Sequence, residues 1–193
     1  MPLDQYVSKT FYCPLGLATM GYKPRERFPL TRIMPTEYDV KFRKQLVWGD
    51  VHDQGAAMLG GVGGHAGLFS DANDVGVLMQ MYMNYGEYGG VRYLDSNVVK
   101  SFTSCQYCPD NRRGVGFDKP ELDPKKDSPV TSKVSASSFG HTGFTGTMTW
   151  VDPEKKLVYI FLSNRVYPDA DINKLVKLGI RTKIQEAIYE AVK

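Results

Sequence analysis

Glycines within a strand pattern are the feature of this chain that most limits its fold. Residues 147–151 read TMTWV and alternate between small and large side chains, which is the period of two of a β-strand. Gly143 and Gly146 precede them, and glycine weakens a strand unless another group approaches the backbone closely. His141 stands just before these glycines. The pattern therefore predicts a strand edge that faces a ligand, ahead of a hairpin.

An apolar run follows this strand after a short turn. Residues 152–156 read DPEKK, with proline at the position that favours a type I turn. Residues 157–162 read LVYIFL and predict a strand buried on both faces. The two strands together predict an antiparallel hairpin.

Polar residues stand at both ends of this hairpin. In an antiparallel pair, the start of one strand lies beside the end of the other, so we expect His141 and Thr142 to lie near Asn164 and Arg165. Their donors suit a carboxylate or a developing oxyanion. The alternative is structural: a histidine without a special role, a strand-ending asparagine and a solvated arginine.

These residues resemble motifs of the serine β-lactamase, penicillin-binding protein and esterase superfamily, on its class C side. The family's motif of a basic residue, Thr and Gly is similar to His141-Thr142-Gly143, with His in place of the commoner Lys. The family's order of strand, turn, strand and long C-terminal helix matches residues 139–192. Upstream, residues 35–37, 49–53 and 64–70 resemble segments between its helical lobe and its returning sheet.

The resemblance implies an α+β fold: an antiparallel sheet with flanking helices, as a partial β-lactamase/transpeptidase-like fold. It also implies site roles. His141, Thr142 and Gly143 orient the substrate, and the backbone N–H of Phe144 is one of two oxyanion donors. Further binding residues are Asn164 and Arg165, for a substrate carboxylate, and His65, at the pocket rim.

The family's nucleophile is the Ser of a Ser-x-x-Lys pair, and no Ser of this sequence has Lys three residues later. Residues 82–84 imitate the next motif, Tyr-x-Asn, only by chance, whereas residues 1–7 resemble a helix that follows both motifs. We therefore expect one domain, residues 1–193, that is the C-terminal part of a β-lactamase-like domain. Residues 1–138 form its helical and loop-rich part, and residues 139–193 its sheet hairpin and C-terminal helix. Alone, it should be inactive.

Composition limits the partners. The formal net charge is +3 with scattered Lys and Arg, which argues against nucleic acid. No apolar run approaches the length of a membrane span. We expect no cofactor. By resemblance, the substrate is a small molecule or a cell-wall peptide, and the location is periplasmic or otherwise extracytoplasmic.

Two cysteines, Cys105 and Cys108, have the spacing of half a zinc site or a redox pair. No second pair of Cys or His with ligand spacing accompanies them, so we predict no metal site. A loop disulfide or two free thiols remain open. His52 beside Asp53 is either an oriented acid or base, or a structural hydrogen bond that holds a loop.

A second class of function is a binding or assembly module without catalysis. By the resemblance, strands near the family's N-terminus pair beside residues 157–162, so this edge should be bare and should recruit a second copy as a homodimer. The chain is alternatively an accessory domain fused to a family 3 glycoside hydrolase, an N-acetylglucosaminidase.

Five segments carry helix or disorder signals. Apolar spacing predicts helices over residues 3–12 and 171–192, the latter with one apolar stripe laid across a sheet. Ser70 is a good N-cap for a helix through Tyr82, and Asp95 or Ser96 for another through Phe102. Residues 118–129 are dense in Pro, Lys and Asp and predict disorder.

Overall fold

The computed structural model describes residues 1–192 and shows an α+β protein, as predicted. Its internal contacts divide the chain into two compact units. The first comprises Met1–Val75 and Leu162–Lys174, and the second comprises Gly76–Phe161 and the chain from Leu175 onward. Lys193, the last residue of the predicted domain, lies outside the described residues.

The first unit is built from short elements. Helix α1 (Leu3–Val7) continues as a π-helical stretch (Ser8–Tyr12), which confirms the predicted N-terminal helix. Strands β1 (Pro35–Asp39) and β2 (Gln45–Trp48) pair antiparallel, and α2 (Gln54–Met58) follows. The buried carboxylate of Asp39 accepts hydrogen bonds from three main-chain N–H groups of the connecting turn and from Arg43. Burial alone would raise the pKa of Asp39, but these hydrogen bonds outweigh it and hold the pKa below its usual range.

Helix α3 (Ala72–Met83) is capped by Asp71 rather than by the predicted Ser70. Asp71 Oδ1 accepts a hydrogen bond from the main-chain N–H of Asp74 at 2.9 Å, whereas Ser70 Oγ donates to the carbonyl of Asp71. The Asp74 carboxylate binds Thr19, through its main-chain N–H at 2.6 Å and its hydroxyl at 2.7 Å. These hydrogen bonds fix the start of α3 to Thr19, in the segment after the N-terminal helix.

In the second unit, a small hairpin of β3 (Glu87–Tyr88) and β4 (Val91–Arg92) precedes α4 (Ser96–Thr103), and Asp95 caps α4 through the N–H groups of two residues. A three-stranded antiparallel sheet follows, made of β5 (Phe139–Thr142), β6 (Met148–Asp152) and β7 (Leu157–Phe161). The strands lie in that order, so the predicted hairpin is confirmed. Only Tyr159 of β7 is buried, so the prediction of burial on both faces was too strong.

The core of this sheet is small. Trp150 and Met148 of β6 are each 1% exposed and pack with Tyr159 and Val130. Ile188 packs against this cluster from the C-terminal helical region. The indole N–H of Trp150 donates to Ser138 Oγ at 3.0 Å, so the largest buried side chain also has its polar atom satisfied.

The predicted C-terminal helix is two helices, α5 (Lys174–Lys177) and α6 (Ile180–Ala191). Gly179 separates them with φ of 61°, a left-handed conformation that interrupts a helix. The buried residue of α6 is Gln185, whose Oε1 accepts the main-chain N–H of Thr131, while Ile184 is 42% exposed. The expected apolar stripe therefore packs only in part. Within residues 1–192, no helix has the length and hydropathy that crossing a membrane requires.

Candidate active site

His141 and Thr142 form the end of β5, opposite Thr149 and Met148 of β6. The imidazole of His141 is exposed and Thr142 is half-buried, so this strand end presents polar groups to solvent. Strand β5 is bound on its other edge through Gly140, which pairs with Asp118. The sheet thus holds the predicted His-Thr-Gly motif at a fixed, accessible strand end.

The two glycines after the motif serve the turn between β5 and β6. Gly143 N–H donates to the carbonyl of Thr147 at 2.8 Å, and Gly146 N–H donates back to the carbonyl of Gly143 at 3.0 Å. Gly146 has φ of 100°, which favours glycine. The glycines therefore lie in the turn between β5 and β6, ahead of the predicted β6–β7 hairpin. Phe144, the expected oxyanion donor, lies in this turn and is 63% exposed.

Two neighbours orient the ring of His141. Nδ1 lies 2.8 Å from the carbonyl oxygen of Thr142, and Nε2 lies 3.5 Å from Nη1 of Arg113. A carbonyl only accepts and a guanidinium only donates, so the geometry fits a neutral ring with its proton on Nδ1.

Arg113 and Asp118 lie beside His141 and were not predicted from the sequence. The prediction of disorder over residues 118–129 was wrong for its first two residues, because Asp118 and Lys119 are buried, at 3% and 8% exposed. Asp118 is held in place by its pairing with Gly140 and by an ion pair to Arg113 at 2.7 Å. The available signal was the Gly-Val-Gly between these opposite charges, which is typical of a tight turn that brings its two ends together.

Asn164 and Arg165 lie in the first unit, after β7. Asn164 Nδ2 donates to the carbonyl oxygens of Pro35 and Thr36, the latter at 3.2 Å, and Arg165 Nη1 donates to the carbonyl of Ala170 at 2.9 Å. The amide donors of Asn164 are thus used by β1. Its role in binding a carboxylate, and its grouping with His141, stay predictions.

His65 and His52 each bind a different carboxylate. His65 Nε2 lies 2.9 Å from Asp53 Oδ1, and His52 Nε2 lies 3.2 Å from Glu37 Oε2. Asp53 is also the N-cap of α2, accepting from the N–H of Ala56. That hydrogen bond and the one from His65 lower the pKa of Asp53. The partner of Asp53 is therefore His65, not the adjacent His52.

A cleft of about 480 Å³ opens in the first unit. None of the predicted site residues lines it, and its lining comes from residues 23–26, 43, 49–51, 57, 60, 61, 67 and 69.

Cys105 and Cys108 form a disulfide, which resolves the alternatives left by the sequence. Among residues 1–192, no three side chains of His, Cys, Asp or Glu are grouped as a metal site would require.

The antiparallel sheet with its His-Thr-Gly strand end is the arrangement that the resemblance to the β-lactamase and penicillin-binding class predicts. A family model described as Beta-lactamase matches residues 1–179. The chain therefore belongs to the β-lactamase family, which confirms the predicted superfamily.

Curated relatives include two proteins, from Salmonella agona (strain SL483) and Salmonella typhi, each named "Putative D-alanyl-D-alanine carboxypeptidase". Each is 35% identical over 216 aligned residues, covering 100% of this chain and 49% of the relative. The chain thus spans about half the length of these relatives.

Solved structures show the same fold. A β-lactamase from Mycobacterium bovis has a TM-score of 0.61 at 17% identity, covering 98% of this chain and 57% of that one. Simvastatin synthase from Aspergillus terreus has a TM-score of 0.66 at 16% identity, covering 99% and 51%. At these identities the likeness shows the fold alone.

Proposed function

We propose that this chain supplies the sheet half of the active site of a serine hydrolase that attacks an amide or ester carbonyl through an acyl-enzyme. The observation that carries the proposal is the exposed His141-Thr142-Gly143 strand end, held by β6 on one side and by Asp118 on the other. The names of the Salmonella relatives favour a cell-wall peptide as substrate. They also favour an extracytoplasmic location.

The chemistry divides between this chain and a Ser-x-x-Lys segment that its sequence does not contain. The serine would attack the carbonyl and its lysine would help to move the proton. His141 and Thr142 would orient the substrate, and Phe144 N–H would bind the developing oxyanion together with the nucleophile's own amide. Asn164 and Arg165 would hold a carboxylate, and His65 would border the pocket. Alone, this chain would lack the nucleophile.

The first prediction concerns acylation. A fluorescent penicillin and a chromogenic ester should label or turn over a longer chain that includes a Ser-x-x-Lys segment, but not residues 1–193 alone. His141→Ala in the longer chain should lower the rate about 100-fold, within the range for removing a positioned polar group from such a site. Thr10→Ala, a change outside the site strand, is the matched control.

One result would contradict this assignment. If residues 1–193 alone hydrolyse the ester, and a serine-directed fluorophosphonate abolishes that activity, the nucleophile lies within this sequence. The division of the site would then be wrong.

A second candidate function is assembly without catalysis. It is favoured by the sheet order, in which β7 (Leu157–Phe161) is a terminal strand with no neighbour beyond it among residues 1–192. An unpaired strand edge offers N–H and C=O groups to another chain. Fusion to a family 3 glycoside hydrolase also stays a prediction.

A further inference from the structure

The segment from Arg113 to Asp118 is a tight turn that is fixed to the edge of β5. Arg113 and Asp118 pair across the turn, and Gly114 N–H donates to the carbonyl of Phe117 at 2.9 Å. Asp118 and Gly140 exchange two main-chain hydrogen bonds of 2.7 and 3.0 Å. Because two such bonds define strand pairing, Asp118 has a set position one residue before the level of His141.

The fixed carboxylate in turn holds a guanidinium. The Asp118 side chain is 4% exposed, and its Oδ1 lies 2.7 Å from Arg113 Nη1 and 3.4 Å from Arg112 Nη1. A buried carboxylate needs such partners, since an unpaired buried charge is strongly destabilising. Arg113 is half-exposed, so the guanidinium is anchored at one side and open at the other.

The same Nη1 atom reaches His141. It lies 3.5 Å from Nε2, while Nδ1 lies 2.8 Å from the carbonyl oxygen of Thr142. The carbonyl requires a proton on Nδ1 and the guanidinium requires a lone pair on Nε2. A doubly protonated ring would instead direct its Nε2–H at the cationic guanidinium.

We propose that Arg113 is a positioning residue that holds His141 as the neutral Nδ1–H tautomer and supplies the positive charge at this strand end. In the motif that this strand resembles, a lysine brings that charge. Here Arg113 carries the positive charge, and its guanidinium donates to the Nε2 lone pair of His141. This inference deepens the proposed function and rests on it for its catalytic meaning.

The test is nuclear magnetic resonance of the chain labelled with ¹⁵N at histidine. The chain has three histidines, and His141→Gln assigns the signal of interest. Spectra that correlate ring protons with ring nitrogens identify which nitrogen carries the proton. They should be recorded at about pH 8.5, where imidazole rings are ordinarily neutral.

In the wild-type chain, we expect His141 to carry its proton on Nδ1. In Arg113→Ala, the ratio of the two tautomers should shift toward Nε2–H by about two- to fivefold, the lower part of the range for one hydrogen bond, because this contact is long and exposed. Arg113→Lys keeps a cationic donor and should restore much of the Nδ1–H form. Arg112→Ala is the matched control, because Arg112 shares the Asp118 carboxylate but donates to the carbonyl of Lys119.

Two results would overturn the inference. One is a wild-type ring with its proton on Nε2, which needs no variant and so does not depend on whether a variant folds. The other is a folded Arg113→Ala chain whose tautomer ratio equals that of the wild type. Neither readout involves hydrolysis. A failure of the acylation experiment would therefore leave the tautomer result standing, and the two proposals fail separately.

Discussion

At the scale of single residues, His65 binds the carboxylate of Asp53 and His52 binds that of Glu37. The adjacency of His52 and Asp53 along the chain therefore does not make them partners. Likewise, Lys119 belongs to a stretch whose composition predicted disorder, and yet it is buried with its ammonium group donating to the carbonyl of Ser137 at 2.8 Å. Composition describes how a segment behaves on average, whereas a single contact with a distant residue can bury one side chain.

Lys119 provides a pH-dependent prediction. Burial lowers its pKa from 10.5 to about 8, although Asp152 nearby partly opposes the shift. Between pH 8 and 10.5 the unfolded chain therefore binds this proton more tightly than the folded chain, so the free energy of unfolding rises with pH in that window. Lys119→Met removes this contribution. Relative to the variant, the wild type should gain on the order of 1 kcal/mol between pH 8 and 9.5.

Urea unfolding at a series of pH values measures this difference. Lys125→Met, at an exposed position, is the control and should leave the pH dependence of the wild type unchanged. Parallel curves for the wild type and Lys119→Met would show that burial of Lys119 has no energetic consequence.

At the scale of elements, local patterns located most helices and strands because each depends on residues close in sequence. The alternation in β6, the Asp-Pro turn and the Asp95 cap of α4 all had the predicted effect. The C-terminal helix differed from the prediction because it is interrupted after Lys177, and Gly179 in a left-handed conformation is the N-cap of α6. Glycine tolerates both helical and left-handed backbone, so its presence alone could not decide between them.

Gly140 gives a prediction about the sheet. A Cβ at this position would meet the main-chain carbonyl oxygen of Thr149 and come within 2.5 Å of Trp150 Cε3. Both neighbours belong to β6 and cannot move without loss of the pairing with β5. Gly140→Ala should therefore lower the free energy of unfolding by about 3 kcal/mol.

Chemical denaturation followed by tryptophan fluorescence is the measurement. Gly64→Ala is a matched substitution, because a Cβ at Gly64 meets no atom within 4 Å. Equal midpoints for Gly140→Ala and the wild type would mean that β5 approaches β6 less closely than the structure describes.

At the scale of the whole molecule, the sheet order leaves β7 without a neighbour on its outer side among residues 1–192. The strand carries no proline and no charged residue within Leu157–Phe161, the devices that commonly protect an edge. We therefore predict self-association through this edge, with a homodimer as its simplest form.

Sedimentation velocity over a wide range of concentrations tests this prediction. We expect the mean sedimentation coefficient to rise with concentration. A longer chain that includes a Ser-x-x-Lys segment should remain monomeric over the same range, because by the resemblance it carries strands that pair beside β7. A clean monomer of residues 1–193 at the highest soluble concentration would argue against the assembly function.

The sequence alone determined the family, the α+β class, the β6–β7 hairpin and the motif at residues 141–143. These depend on periodicity, turn residues and short motifs, which are local in the chain. Only the tertiary structure decided that Arg113 and Asp118 lie beside the strand end of His141. In the sequence, they precede His141 by 28 and 23 residues. The tertiary structure also decided which carboxylate each remaining histidine binds. The physical reason is that hydrogen-bond partners and burial are set by which segments pack together, and local patterns do not specify that packing.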